Sequence, residues 1–135
     1  MQAASSALSA PVENIMSRAV VQMFEGIPMS EARALAVKYD YNGFPVVARD
    51  GQLLGMLTKG DLLRVARAAV ADPGVWKDPV ARWMAHGVLA LRPQDALQTA
   101  IEHLVERRLR SLPVIDQESR VVGMVSRNDL VTAIS

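Results

Sequence analysis

The chain has 135 residues, half of them hydrophobic and only 4% aromatic, so it can bury a real core built from Ala, Val, Leu, Ile and Met. Fifteen basic against 14 acidic side chains leave a formal net charge of +1, which argues against a nucleic-acid partner. The absence of cysteine excludes disulfides, thiolate metal sites and cysteine nucleophiles, and fits a reducing, cytoplasmic setting.

The opening MQAASSALSA ends in an ALSA string resembling a cleavage site, but it lacks a basic start and an apolar centre. Residues 1–11 are therefore expected to form a flexible tail. No apolar run approaches the ~20 residues that span a bilayer, so a soluble protein with no membrane insertion is expected.

Beyond the tail the chain repeats itself. Phe44-Pro45-Val46-Val47 returns as Leu112-Pro113-Val114-Ile115, and the string 53–63 returns as 121–131, both 68 residues later. The same register pairs Met16 with Met84, Val20 with Val88, Ala32 with Ala100 and Val37 with Val105. A shared spacing over so many landmarks marks a tandem duplication. Copy one is set at 12–70, a linker rich in Asp-Pro and Pro-Gly steps at 71–79, and copy two at 80–135.

Within each copy the elements follow in the same order. After a lead (Val12–Met16, Val80–Met84) comes a short apolar stretch, Ala19–Phe24 or Val88–Leu91, read as a strand. A helix follows, its apolar stripe at helical spacing Ala32, Leu35, Ala36 and Tyr39 in copy one and Ala96, Leu97, Ala100, Ile101, Leu104 and Val105 in copy two. Gly43 is the expected stop of the first helix. At the end of the second, Arg107, Arg108 and Arg110 suit the helix dipole, with Arg110 spaced to pair with Glu106. Copy two keeps a Pro93-Gln94-Asp95 lead into its helix, where copy one has Glu25-Gly26-Ile27-Pro28.

Two β-rich runs come next, 44–48 and 53–58 in copy one, joined by Arg49-Asp50-Gly51-Gln52 with its Asp-Gly hairpin signal. A closing helix starts near Lys59. The fold class is α/β (α+β), two β-α-β-β-α units packed as a pseudo-twofold pair, because one unit alone would leave an apolar face in water.

The paired strings resemble the cystathionine-β-synthase (CBS) domain pair, or Bateman module. The matching pieces are h-P-V-h followed by G-h-h-[T/S]-x-x-D-h, present as Gly55-Met56-Leu57-Thr58-Lys59-Gly60-Asp61-Leu62 and as Gly123-Met124-Val125-Ser126-Arg127-Asn128-Asp129-Leu130. The resemblance covers about residues 12–135. It implies a regulatory module, not an enzyme and with no required cofactor. Such a module binds an adenosine nucleotide (AMP, ADP or ATP) or adenosyl-methionine in clefts between repeats, pairs into a homodimer and relays its state to an effector protein. A structural or dimerisation module without nucleotide is the alternative.

The residues give this reading a chemistry. Thr58 and Ser126 sit where a strand enters a helix, so their hydroxyls, with Lys59 and Arg127, suit a phosphate. Asp61 and Asp129 repel phosphate but suit the vicinal hydroxyls of a ribose, and Gly60 would let a ligand approach the backbone closely. Arg110 is the best further phosphate contact. The resemblance places the base slot between Ala19, Val20 and Val21, or Gly87, Val88 and Leu89, and the segments Gly43, Phe44 and Pro45, or Ser111, Leu112 and Pro113. The same [ST]-x-x-D strings also fit a capping box, and capping and ligand contact are not exclusive. His86 and His103 read as surface or interface residues, Met16, Met56, Met84 and Met124 as core filler, and Trp76 and Trp83 as covers over apolar surface.

Overall fold

The computed structural model describes residues 7–135. They form six strands, β1 (Met23–Phe24), β2 (Gly43–Val47), β3 (Leu53–Thr58), β4 (Ala85–His86), β5 (Ser111–Ile115) and β6 (Val121–Ser126). The described helices include α1 (Met29–Lys38), α2 (Lys59–Ala69), α3 (Val80–Trp83), α4 (Leu97–Glu106) and α5 (Arg127–Ala133), with 3-10 turns at Val12–Asn14 and Pro73–Lys77. This is the expected α/β tandem repeat.

The chain divides into two compact units, Val21–Val88 and a second one made of Met1–Val20 with Leu89–Ser135. Sequence copies and compact units therefore differ at the leads. Ala85 and Met84, which open copy two, lie on the first unit: β4 pairs antiparallel with β3, Met56 facing Ala85 and Gly55 facing His86. Conversely Ser17, from the lead of copy one, bridges Met124 in β6, with backbone bonds of 2.9 Å in both directions.

In the first unit the sheet order is β1-β2-β3-β4, with β1 parallel to β2 and the rest antiparallel. The second unit repeats it: Leu91 bridges Val114 in parallel, as Met23 pairs Val46, then β5 and β6 form a hairpin and Ser17 closes the edge. The apolar runs at 19–24 and 88–91 thus contribute less strand than expected, only Met23–Phe24 and the single bridge at Leu91. The remainder of each run is the segment in which the chain passes from one unit to the other, at 20–21 and 88–89, and it makes no ladder.

Glycine is required where the leads meet the sheets. A Cβ on Gly55 would lie 2.2 Å from the Ala85 carbonyl oxygen, and one on Gly123 would lie 2.5 Å from Met16 Sδ. The first hairpin turns as expected: Gly51 takes φ +89°, its N–H bonds the Ala48 carbonyl at 2.9 Å, and Asp50 accepts from Gln52 N–H at 3.0 Å. Ser119 takes the same place in the second hairpin at φ +62°, braced by Asp116, whose Oδ1 accepts from Glu118 and Arg120 N–H.

Each unit has its own core. Met23, Met29, Ala32, Phe44, Val46, Leu57, Val65 and Val80 anchor the first. Val12, Leu91, Leu97, Ala100, Leu104, Leu112, Val114 and Val125 anchor the second; Met84 in the first core and Met16 in the second are buried as the expected filler. Trp76 and Trp83 pack half-buried against the first core, Trp76 beneath Arg33 at 4.1 Å and Trp83 donating its indole N–H to Asp78 at 3.0 Å.

Three local expectations are corrected. Gly43 does not stop the first helix; α1 ends at Lys38 with an extended Tyr39, and Gly43 opens β2 opposite Thr58. Arg110 makes no pair with Glu106 among the described residues, because α4 ends at Glu106 and the chain turns away through Arg108 at φ +54°. There Leu109 N–H reaches back to the Leu104 carbonyl at 3.1 Å, the reversal that closes a helix in which Gly commonly supplies the left-handed residue. Residues 7–11 of the expected tail are tied down, Leu97 N–H bonding the Ala10 carbonyl and Pro11 bridging Ala96; the rest of that tail, 1–6, lies outside the described residues.

Candidate functional site

In each hairpin the residue opening the h-P-V-h strand faces the residue that caps the next helix, Gly43 opposite Thr58 and Ser111 opposite Ser126. This register sets Gly43 beside the start of the Thr58–Asp61 box in one unit and Ser111 beside the start of the Ser126–Asp129 box in the other, while Phe44 and Pro45 face Leu57 and Met56, and Leu112 and Pro113 face Val125 and Met124. Phe44 and Leu112 are core side chains, 1% and 2% exposed, so these segments offer a ligand backbone rather than rings. Val21 packs on the Phe44 core and Leu89 on the Leu112 core. Ala19 and Gly87 are exposed, Val20 and Val88 half-buried, and Gly87 takes φ +60°.

Both [ST]-x-x-D strings form complete capping boxes. Thr58 is extended at the N-cap; its N–H donates to Asp61 Oδ2 at 2.8 Å, its hydroxyl donates to the same oxygen at 3.2 Å, and that hydroxyl oxygen accepts weakly from Asp61 N–H at 3.4 Å. Ser126 N–H donates to Asp129 Oδ2 at 2.8 Å, and Asp129 N–H to Ser126 Oγ at 3.1 Å. The capping role weighed from sequence is therefore real in both copies. Each cap contributes about 1 kcal/mol to its helix.

The charged surroundings of the two boxes differ. Asp61, with its side chain 12% exposed, also receives Arg64 Nη1 on Oδ1 at 2.9 Å. Arg64 in turn lies over the Trp83 ring, 5.5 Å from its centre. The residue 68 positions on is Thr132, and Asp129 Oδ1 has no protein partner among the described residues. Lys59 is paired with the exposed Asp40, and that ammonium holds the Asp40 carboxyl below the usual carboxylate range, first through the hydrogen bond and then through its charge. A depressed carboxyl favours folding at neutral pH and loses that contribution as pH falls through its lowered value.

Asp40 is replaced by Arg108 in copy two. There Arg127 Nε donates to the Leu109 carbonyl at 2.7 Å, leaving its charge uncancelled, while Arg127 N–H bonds the Arg110 carbonyl at 3.1 Å. Arg107, Arg108 and Arg110 are exposed and make no ion pair among the described residues. The sequence reading found the cluster but missed the two ion pairs of copy one, although Asp61 and Arg64 stand at the i, i+3 spacing that would have signalled one.

Gly60 is the second residue of α2, its φ is not positive, and an added Cβ would lie 3.5 Å from Thr58 Oγ1. Gly60→Ala is accordingly expected to raise stability by about 0.5 kcal/mol, read as a melting temperature higher by a few degrees.

The fold, the duplicated hairpin and the paired boxes are those of a CBS domain pair. The sequence profile of the CBS domain matches residues 12–68 and 80–135, and the chain belongs to that family. It is 29% identical over 119 residues to a homoserine O-acetyltransferase of Methanohalobium evestigatum, a match covering 88% of this chain and 23% of that protein. The chain thus spans about a quarter of the length of that relative. Among solved structures, CBSX2 in complex with AMP superposes with a TM-score of 0.81 at 24% identity, covering 92% of this chain and 95% of that one. The CBS domain pair of protein MJ0100 in complex with 5-methylthioadenosine and S-adenosyl-L-methionine gives 0.77 at 24% identity, covering 90% and 93%. No described helix is long and apolar enough to cross a membrane.

Proposed function

We propose that this chain is a regulatory module, not an enzyme, that binds an adenosine-type ligand (AMP, ADP, ATP or adenosyl-methionine) and relays its presence to an effector protein. The observation that carries the reading is the box Ser126–Asp129, which presents a carboxylate with a free oxygen beside two uncancelled guanidinium groups, Arg110 and Arg127. A ribose diol needs acceptors and a phosphate needs cations, and both kinds of group stand together there. The AMP of CBSX2 and the adenosyl compounds of the MJ0100 domain pair support the same ligand class.

The base would rest against Val21 with Gly43, Phe44 and Pro45 in one unit, or against Leu89 with Ser111, Leu112 and Pro113 in the other. Thr58, Lys59 and Asp61 form the equivalent box of copy one. The module acts as a cytoplasmic homodimer. Val37 and Val105, 81% and 71% exposed, and Leu63 and Val131, 71% and 58% exposed, stand 68 residues apart in pairs and offer the same aliphatic surface twice, which suits pairing with a second copy. One observation favours the structural alternative for copy one alone: three donors already engage the Asp61 carboxylate.

A thermal-shift panel tests the function. A ligand present at about a hundredfold its Kd stabilises the native state by about 2.7 kcal/mol, enough to raise the melting temperature by several degrees. AMP, ADP, ATP or adenosyl-methionine is expected to do so and guanosine nucleotides are not; no shift with any adenosine compound would return the chain to a structural role.

A further inference from the structure

We propose that Arg64 latches the carboxylate of the first copy, so that the module takes its ligand at the second copy through Asp129. The inference rests on the reading of the [ST]-x-x-D carboxylate as the group that grips the ribose diol.

The argument is one of acceptor capacity. An ionised carboxylate has about four lone-pair positions, and a vicinal diol gripped by both hydroxyls fills two of them. Asp61 already accepts three bonds, from Thr58 N–H, the Thr58 hydroxyl and Arg64 Nη1. What remains is too little for a diol unless a partner leaves. Asp129 accepts one bond, from Ser126 N–H, and its Oδ1 is open.

Charge points the same way. In copy one Lys59 is cancelled by Asp40 and Asp61 by Arg64, so the box is internally neutral before any ligand arrives. In copy two Arg108 replaces Asp40 and Thr132 replaces Arg64, so neither Arg127 nor Asp129 has an opposite charge at the matching place. The latch is also seated: the Arg64 guanidinium bonds the Asp61 carboxylate at 2.9 Å and lies over the Trp83 ring, 5.5 Å from its centre. Arg64 is thus a specificity-determining residue that acts through Asp61 without touching ligand.

Two reciprocal substitutions test this by calorimetric titration with AMP, with circular dichroism and melting temperature confirming that each variant is folded. The parent is expected to bind one AMP per chain. Thr132→Arg places a guanidinium three residues after Asp129 and is expected to weaken that binding about tenfold, the effect of a charge-assisted bond that must be broken first. Arg64→Thr removes the guanidinium from Asp61, leaving two acceptor positions for a diol, and is expected to add a second AMP per chain. Two equivalent sites in the parent, or affinities and stoichiometry unmoved by both substitutions, would overturn the latch while leaving the nucleotide module intact. No binding of AMP, ADP, ATP or adenosyl-methionine by the parent would instead remove the functional reading, and the latch with it.

Discussion

Gly55→Ala is expected to lower the melting temperature by about 15 °C, the consequence of about 3 kcal/mol of destabilisation in a unit of this size. The new Cβ would sit 2.2 Å from the Ala85 carbonyl oxygen, a backbone atom fixed by the pairing of β3 with β4, with Met84 Sδ a further 3.0 Å neighbour. Nothing at that contact can rotate away, so the β4 ladder must open and Met84 must leave the core it fills. Gly123→Ala occupies the same place in copy two, yet its nearest neighbours are Met16 Sδ at 2.5 Å and Cγ at 2.8 Å, and the Ser17 carbonyl is 3.1 Å away. A methionine side chain has three rotatable bonds and can give way, so the expected cost is about 1 kcal/mol and about 5 °C. Thermal denaturation followed by circular dichroism reads both. Equal shifts would mean that the two leads are held alike, against the contacts just described.

Asp129→Ala is expected to reduce affinity for an adenosine nucleotide about thirtyfold or more while lowering stability by only about 1 kcal/mol. The stability term is the loss of a helix cap; the affinity term is the loss of both acceptors for the diol. Asp61→Ala is expected to show the opposite balance. Its carboxylate is more buried and serves three donors, so loss of the cap together with the half-exposed Arg64 pair lowers stability by about 1.5 kcal/mol while affinity moves less than about threefold. A cap-only role for both residues predicts stability losses with no change in binding for either one.

Much of this architecture was legible from the chain. The 68-residue offset, the first hairpin with its Asp-Gly turn, and the helix beginning at Lys59 all follow from local chemistry that tertiary packing did not override. The exchange of leads was not legible, because β4 is two residues long and Ser17 contributes one bridge, too short for any periodicity to register. Its trace is steric rather than periodic: a glycine at the third position of the second strand of each hairpin, Gly55 in β3 and Gly123 in β6, where a neighbouring backbone or methionine approaches. The reversal at Arg108 escaped for a related reason, since a non-glycine residue in the left-handed region carries no sequence signal.

At the site, the register of Gly43 with Thr58 and of Ser111 with Ser126 follows from the hairpin turns, so the grouping of site residues could be anticipated within each copy. The inequality of the two boxes was only half visible. The arginines of copy two stand out as a cluster, whereas the neutralisation of copy one depends on Asp40 reaching Lys59 across 19 residues, a contact made by the turn after α1 and not by any motif.

The most direct measurement is a calorimetric titration of AMP into the parent and into the Asp61→Ala/Asp129→Ala double variant, each first shown to be folded. Saturable heat in the parent and none in the double variant is the predicted result. An unchanged isotherm in the double variant, or a flat one in the parent across AMP, ADP, ATP and adenosyl-methionine, would contradict it.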